Sequence, residues 1–98
     1  MKEYTTPTVA MRLEGQNVAD LLAGAQLVIL TVKGAGATYK LTPEIEGADL
    51  IVKLTQEQTV KLKGNIRFEA TIKTSTGDVV KSETVSATIL DALLDEVI

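Results

Sequence analysis

The chain of 98 residues contains no cysteine, no histidine and no tryptophan. The absence of cysteine excludes disulfides, thiolate nucleophiles and thiolate zinc ligands. The absence of histidine removes the commonest general acid–base group and the imidazole metal ligand. The sequence therefore predicts a fold that is stabilised by packing alone and that lacks most catalytic and metal chemistries.

Aromatic residues are almost absent as well, because Tyr4, Tyr39 and Phe68 are the whole set. The apolar patterns around Phe68 and Tyr39 predict that both rings lie in the core, and Tyr4 lies in the N-terminal segment. Surfaces that bind carbohydrate or single-stranded nucleic acid need exposed rings on which sugars or bases stack. We therefore expect neither kind of surface.

Acidic residues form two local clusters, which are the remaining candidates for acid–base or metal chemistry. The clusters are Glu44, Glu46 and Asp49, and Asp91, Asp95 and Glu96. The first lacks the oxygen-ligand spacing of an EF-type calcium loop and is interpreted as a solvated polar connection over residues 43–49. Neither cluster lies among the aromatic residues of a sugar cleft. The sequence predicts a non-enzymatic protein with no catalytic, cofactor-binding or metal-binding residues and no cofactor.

Charge and hydropathy exclude two further classes of partner. Ten basic residues are dispersed among thirteen acidic ones, for a net charge of −3, so we expect no nucleic-acid partner. No run of about 18 apolar residues is present to span a membrane. Residues 1–7 end in Pro7, lack the apolar segment of a secretory signal, and are predicted to form a loose N-terminal arm on a chain made in the cytosol.

Short stretches of alternating apolar and polar residues recur about every ten positions, which is typical of a β-sandwich. Strands are predicted over residues 8–14, 26–33, 37–42, 50–54, 65–74 and 79–90. Gly34–Gly36 is predicted to be a hairpin turn and not a phosphate loop, because no helix and no Lys-Ser/Thr pair follow it. Residues 18–23 fit either one helical turn that ends at Gly24 or a loop that plugs the core.

The segment Leu54-Thr55-Gln56-Glu57-Gln58-Thr59 interrupts the strand pattern. Thr55 followed three residues later by Gln58 predicts a capping box at the start of a helix, and Gly64 is placed to end it. We predict a short helix near residues 55–63 that carries the chain from one sheet to the other, with Val60 and Leu62 facing inward.

The stretch 65–74 has the clearest strand pattern, with Ile66, Phe68, Ala70 and Ile72 predicted to face the core. Residues 74–78 form a turn, after which residues 79–90 return as the second strand of a long antiparallel hairpin. On this return strand Val85, Ala87 and Ile89 are predicted to face inward. We predict one domain over residues 1–98, an all-β, Ig-like antiparallel β-sandwich of about six to eight strands.

Three features bear on partners. The strand 26–33 is apolar on both faces, so its second face is either buried, within the core or under a neighbouring loop, or docked on a partner subunit. That second face is either Leu27 with Ile29 or Val28 with Leu30. The apolar residues of the C-terminal segment 91–98 and the long hairpin edge are further candidates for subunit contacts. Lys73, Lys81 and Glu83 favour the opposite outcome, a monomer, if they prevent edge pairing.

Residues 50–98 carry a motif that resembles a known group of proteins. It comprises an apolar strand, Leu54-Thr55-Gln56-Glu57-x-Thr59, Gly64 before an alternating strand, the turn Gly77-Asp78, a serine-containing return strand over 82–89, and the ending Leu93 to Ile98. The pattern resembles small proteins encoded among the tail genes of phages and prophages of Gram-positive bacteria, and the N-terminal domain of their baseplate upper proteins. Thr6-Pro7-Thr8 and residues 18–22 agree with the same group more loosely.

The resemblance implies a β-sandwich virion structural protein or accessory of a phage tail or baseplate, without catalytic residues. Its expected partners are tail or baseplate proteins or further copies of itself. We expect the protein in the bacterial host cytoplasm during synthesis. The resemblance implies the virion as a further location. The alternative hypothesis is an Ig-like adhesion or ligand-binding module of a bacterial surface protein.

Overall fold

A computed structural model describes residues 1–13, 18–82 and 84–89. In these residues the chain forms eight β-strands and two short helices. The elements are β1 (Thr8–Arg12), α1 (Val18–Ala23), β2 (Leu27–Lys33), β3 (Thr38–Leu41), β4 (Glu44–Glu46), β5 (Asp49–Lys53), α2 (Gln56–Leu62), β6 (Gly64–Lys73), β7 (Val79–Lys81) and β8 (Val85–Ile89). The predictions for residue 14 at the end of the first strand, for Glu83, for the side chain of Ile89 and for residues 90–98 lie outside what is described.

The strands form two antiparallel sheets, which confirms the predicted mainly β class and strand number. The first sheet has three strands in the order β1-β5-β4. The second has five strands, in which β3, β2 and β6 follow one another and both β7 and β8 pair with β6. β2 is thus an interior strand, as its continuous apolar sequence predicts.

One hydrophobic core joins the two sheets. β2 contributes Val28, Leu30 and Val32, and β6 contributes the four predicted residues, of which Phe68 is only 3% exposed. The three-stranded sheet and the connections supply the remaining members, which are Met11, Leu22, Leu50, Val52, Leu54 and Leu62. The period-2 pattern therefore identified the buried face of β6 correctly.

Helix α2 begins with the predicted capping box. The Thr55 hydroxyl accepts a hydrogen bond from the Gln58 backbone N–H at 3.1 Å, and the Gln58 side-chain oxygen accepts one from the Thr55 N–H at 2.9 Å. The helix ends at Leu62, and Lys63 and Gly64 both have positive φ before β6 begins. Because β5 belongs to the first sheet and β6 to the second, α2 carries the chain between sheets as predicted.

The inward face of α2 differs from the prediction in one position. Leu62 is fully buried, but the second fully buried residue is Thr59, whereas Val60 is only partly buried. The Thr59 hydroxyl lies 3.0 Å from the carbonyl oxygen of Gln56 and 3.2 Å from that of Thr5. These two acceptors allow a polar side chain at a buried position, which hydrophobic periodicity does not reveal.

The N-terminal segment makes contacts that the sequence did not indicate. Besides the Thr5 carbonyl beside Thr59, the carbonyl of Pro7 accepts a hydrogen bond from the Leu54 N–H at 3.0 Å, and Met1 packs against the core. The carbonyl groups of Thr5 and Pro7 therefore attach the N-terminal segment to Thr59 within α2 and to Leu54 before it.

For residues 18–23, the structure selects the helical alternative. α1 places Leu22 in the core, and the Gly24 N–H donates to the Asp20 carbonyl at 3.1 Å.

The prediction of a solvated connection over residues 43–49 is wrong, because β4 and the first residue of β5 lie in it. Glu44 pairs with Ile51, and Glu46 with Asp49, around a turn in which Gly47 has a positive φ. The alternation Glu44-Ile45-Glu46 is short and charged, and β4 is an edge strand where carboxylates remain in water. The high proportion of charged residues therefore made this strand resemble a loop in the sequence.

The predicted return strand over residues 79–90 is divided into β7 and β8 by a register change. In β7 Thr71 lies opposite Lys81, and in β8 Phe68 lies opposite Val85. Between these two pairs, β6 has two residues and the return strand has three. The return strand therefore contains a one-residue bulge. In a regular strand, two residues five positions apart face opposite sides of the sheet. Because of the bulge, Val80 and Val85 both lie opposite core residues.

Candidate functional site

The described residues contain no group of three or more Asp, Glu, His or Cys side chains placed to hold a metal ion. Within the same residues, no helix has the length and apolar character needed to cross a bilayer.

The first acidic cluster does not converge on a common point. Glu44 and Glu46 are exposed on β4, whereas Asp49 pairs with Arg12 on the neighbouring strand pair β1–β5. The Arg12 Nε donates to Asp49 Oδ1 at 2.8 Å and Nη2 donates to Oδ2 at 3.1 Å. This two-point hydrogen bond, followed by the positive charge of Arg12, lowers the pKa of the Asp49 carboxyl below its ordinary value.

Two open concavities lie beside the three-stranded sheet. The first, of about 420 Å³, is lined by Thr8, Leu41, Thr42, Glu44, Ile51, Val52 and Lys53. The second, of about 430 Å³, is lined by Thr6, Lys53, Leu54, Thr55, Gln56 and Glu57. Both are without aromatic residues, and their charged side chains are exposed. Neither resembles a pocket with buried polar groups that fix a small ligand.

The outer face of β2 is partly open to solvent. Val28, Leu30 and Val32 face the core, whereas Leu27 is 49% exposed and Ile29 is half-buried. The outer face is thus not fully buried within the described part of the domain. Docking of Leu27 and Ile29 on a partner subunit therefore stays a hypothesis.

Three exposed valines lie along the edge formed by β7 and β8, which we call the β7–β8 edge. Val79 is 59% exposed, Val80 is 43% exposed and Val85 is 49% exposed. Val80 lies opposite Ile72 and Val85 opposite Phe68, so two of these valines are on the core side of the sheet. They are exposed because β7 and β8 are outer strands of the five-stranded sheet.

Ser82 connects the two halves of this edge. Its backbone N–H donates to the Ala70 carbonyl at 2.9 Å, and its side-chain oxygen accepts from the Ala70 N–H at 2.9 Å. The hydroxyl thus takes the place of a backbone carbonyl where the register changes, so the bulge costs Ala70 no hydrogen bond. The sequence signal was a serine in a strand, which is too common to predict a bulge.

The sheet edges differ in charge. β1 carries Arg12, β3 carries Lys40, β4 carries Glu44 and Glu46, and β7 carries Lys81, which lies 3.6 Å from Glu69. β8 is the only outer strand among the described residues that contains no charged residue and no proline. Natural proteins usually place charges, proline or bulges on such edges to prevent pairing.

The turn Gly34–Gly36 has a structural role in place of phosphate binding. It joins β2 and β3 as a hairpin, and the Gly36 N–H donates to the carbonyl of Leu62 at 3.3 Å. An added Cβ at Gly34 would overlap the Leu62 carbonyl, and one at Gly36 would overlap the Lys61 carbonyl. The turn therefore covers the C-terminal end of α2, where carbonyl groups lack partners within the helix.

Comparison of the chain with protein-family models, with curated proteins and with solved structures finds no match.

Proposed function

We propose that this protein is a non-enzymatic structural or assembly domain derived from a phage or prophage, which acts through protein–protein contacts in a tail or baseplate. The observation that carries the proposal is the β7–β8 edge, which combines three exposed valines with an uncharged outer strand. Exposed apolar groups at a strand edge are typical of surfaces that add a strand from another chain.

The resemblance to phage tail proteins supports the same role. Its motif residues lie at turning points of the fold, since Thr55 caps α2, Gly64 begins β6 with a positive φ, and Gly77-Asp78 belongs to the turn before β7. Thr55, Gly64 and Gly77-Asp78 therefore each have a physical task in the two-sheet scaffold, which is the part of the resemblance that bears on the fold.

We propose further that the topology is Ig-like. The neighbour order β1-β5-β4 agrees with strands B, E and D of that fold, and β3-β2-β6 followed by β7 and β8 agrees with C′, C, F and G. Helix α2 then occupies the connection between strands E and F. The correspondence supports an interaction module, but a fold of this class serves many functions.

The second candidate function is an adhesion or ligand-binding module of a bacterial surface protein. The observation that favours it is the concavity of about 420 Å³, which has mixed polar and apolar walls. Its walls have no aromatic side chain, which weakens the case for a carbohydrate ligand.

Affinity capture distinguishes the two candidates. The tagged protein is produced together with the tail and baseplate proteins encoded near its gene, and the captured proteins are identified by mass spectrometry. Capture of one of these proteins that persists in high salt supports the assembly role. A glycan array with specific hits, together with no capture of any tail or baseplate protein, supports the surface module instead.

A further inference from the structure

We infer that β8 is a self-pairing strand, through which two copies of this chain join their five-stranded sheets edge to edge. The inference rests on the proposed role in protein assembly and adds to it the contact surface, the partner and the register.

The direction of the backbone groups on β8 follows from two hydrogen bonds of β6. The Ser82 N–H donates to the Ala70 carbonyl on the β7 side, and the Gln26 N–H donates to the Lys73 carbonyl on the β2 side. Because backbone groups alternate in direction along a strand, even-numbered residues of β6 bond towards β7 and β8, and odd-numbered residues bond towards β2.

This alternation identifies the unpaired groups of β8. Ala87 lies opposite Ile66 and so bonds to β6, whereas Ser86 lies opposite Arg67 and Thr88 opposite Asn65. The N–H and C=O groups of Ser86 and Thr88 therefore point away from β6, and no described strand pairs with that side of β8. They form a row of donors and acceptors that a further strand can use.

A second copy of β8 fits this row because the strand is symmetric in polarity. Val85, Ser86, Ala87, Thr88 and Ile89 alternate between apolar and hydroxyl residues, with Ala87 at the centre. An antiparallel pairing about Ala87 places Ser86 opposite Thr88 of the partner subunit. The outward-pointing N–H and C=O groups of the two strands then face each other. It places Val85 opposite Ile89 of the partner subunit, so apolar positions meet apolar positions.

Charge does not oppose pairing with a second copy at β8. The chain has a net charge of −3, which on average opposes contact between two copies. β8 carries no charge, and its pairing in this register brings no like charges into direct opposition. The other outer strands of the described chain each carry at least one charged residue, which makes self-pairing less favourable there.

Charge variants at the two hydroxyl positions test the partner and the register together. The variant Ser86→Lys/Thr88→Lys puts lysine opposite lysine in both cross-strand pairs. The matched control Ser86→Lys/Thr88→Glu puts lysine opposite glutamate in both. Sedimentation over a range of concentrations measures the dimer dissociation constant, and circular dichroism confirms that both variants are folded.

We expect a monomer–dimer equilibrium for the natural chain, weakened roughly tenfold or more in the double-lysine variant and retained in the lysine–glutamate control. A natural chain that stays monomeric up to about 1 mM would overturn the inference, whatever else covers β8. So would equal dimerisation of the two variants, because the contact would then lie elsewhere.

Amide hydrogen exchange supplies a readout that needs no variant. The amides of Ser86 and Thr88 are expected to exchange more slowly as concentration rises, whereas the Ala87 amide is protected at every concentration. Concentration-independent exchange at Ser86 and Thr88 would count against the inference. A monomeric protein that still captures a tail protein would contradict the inference but not the proposed function. A protein that dimerises through β8 but captures no tail protein would contradict the proposed function but not the inference.

Discussion

Gly34 and Leu62 lie in contact, with the backbone of the β2–β3 turn against the last carbonyl of α2. A Cβ at Gly34 would overlap the Leu62 carbonyl oxygen and carbonyl carbon, and the Gly36 N–H donates to the same carbonyl. The helix that connects the two sheets is thus fixed at its start by the Thr55 side chain and at its end by a hairpin turn from the five-stranded sheet. The backbone of Leu62 has little freedom to move away, since its side chain is fully buried.

Substitution of Gly34 by alanine is therefore expected to lower the free energy of unfolding by about 3 kcal/mol or more, because a methyl group has no space there. Chemical denaturation measures the change. Gly24→Ala is the control, since an added Cβ at Gly24 meets only the Asp20 carbonyl at an ordinary contact distance of 3.6 Å. Equal stability of the two variants would contradict the close contact.

Substitution of Thr55 by alanine is expected to lower the free energy of unfolding by about 1 kcal/mol, because it removes the acceptor for the Gln58 N–H. Thr55→Ser retains the hydroxyl and is expected to retain most of the stability. Urea denaturation of the three proteins gives the comparison. A serine variant as unstable as the alanine variant would assign the loss to the methyl group and not to the cap.

Substitution of Phe68 by alanine is expected to lower the free energy of unfolding by about 3–5 kcal/mol, because the ring is almost fully buried between the sheets. Val79→Ala truncates an exposed residue of the same sheet and is expected to change stability by about 0.5 kcal/mol or less. A small effect at Phe68 in thermal unfolding would mean that the faces of β6 are wrongly assigned.

Substitution of Ser82 by alanine is expected to lower the free energy of unfolding by about 1–3 kcal/mol, because the Ala70 N–H loses its acceptor in a buried position. Ser86→Ala, on the same outer strand but at an exposed position, is the matched control. If both changes are equally mild in denaturation experiments, the serine does not maintain the bulge.

The Arg12–Asp49 pair predicts a dependence on pH. Since the pKa of Asp49 is lowered in the folded state, the pair stabilises the fold above the ordinary carboxyl pKa. This contribution is lost as the pH falls through the lowered pKa. NMR titration of the Asp49 carboxyl is expected to show a higher pKa in Arg12→Ala than in the natural chain.

Arg12→Lys is expected to give an intermediate pKa, since it keeps the charge but not the two-point hydrogen bond, which is the larger cause of the shift. An unchanged carboxyl pKa in Arg12→Ala would contradict the pairing. Both residues are exposed enough that added salt is expected to reduce the charge contribution.

The sequence predicted those features that depend on local pattern. Alternation identified the core residues of β6, and Thr55 with Gln58 identified the start of α2, because strand faces and helix caps follow from spacing alone. The face of α2 was predicted less well, since Thr59 is buried through contacts with Thr5, which is distant in sequence. β4 was not predicted, because its two glutamates lie on an edge strand, where their carboxylates remain hydrated.

The candidate site depends on features that short patterns do not contain. The division of the β7–β8 edge into two strands arises from a one-residue bulge, which is visible only when both strands are placed opposite β6. The sequence predicted a return strand over residues 79–90, but not that the register changes between Lys81 and Val85. The contact of Gly34 with Leu62 likewise joins two segments whose approach no local spacing predicts.

Tail assembly in the absence of the protein tests the proposed role most directly. The proposed role places the gene in a phage or prophage genome. The gene is deleted from that genome, and the particles are examined by electron microscopy and counted by infectivity, with the gene restored in trans as the control. The proposed role predicts particles with absent or incomplete tails or baseplates, and recovery on complementation. Intact and fully infectious particles without the protein would contradict it.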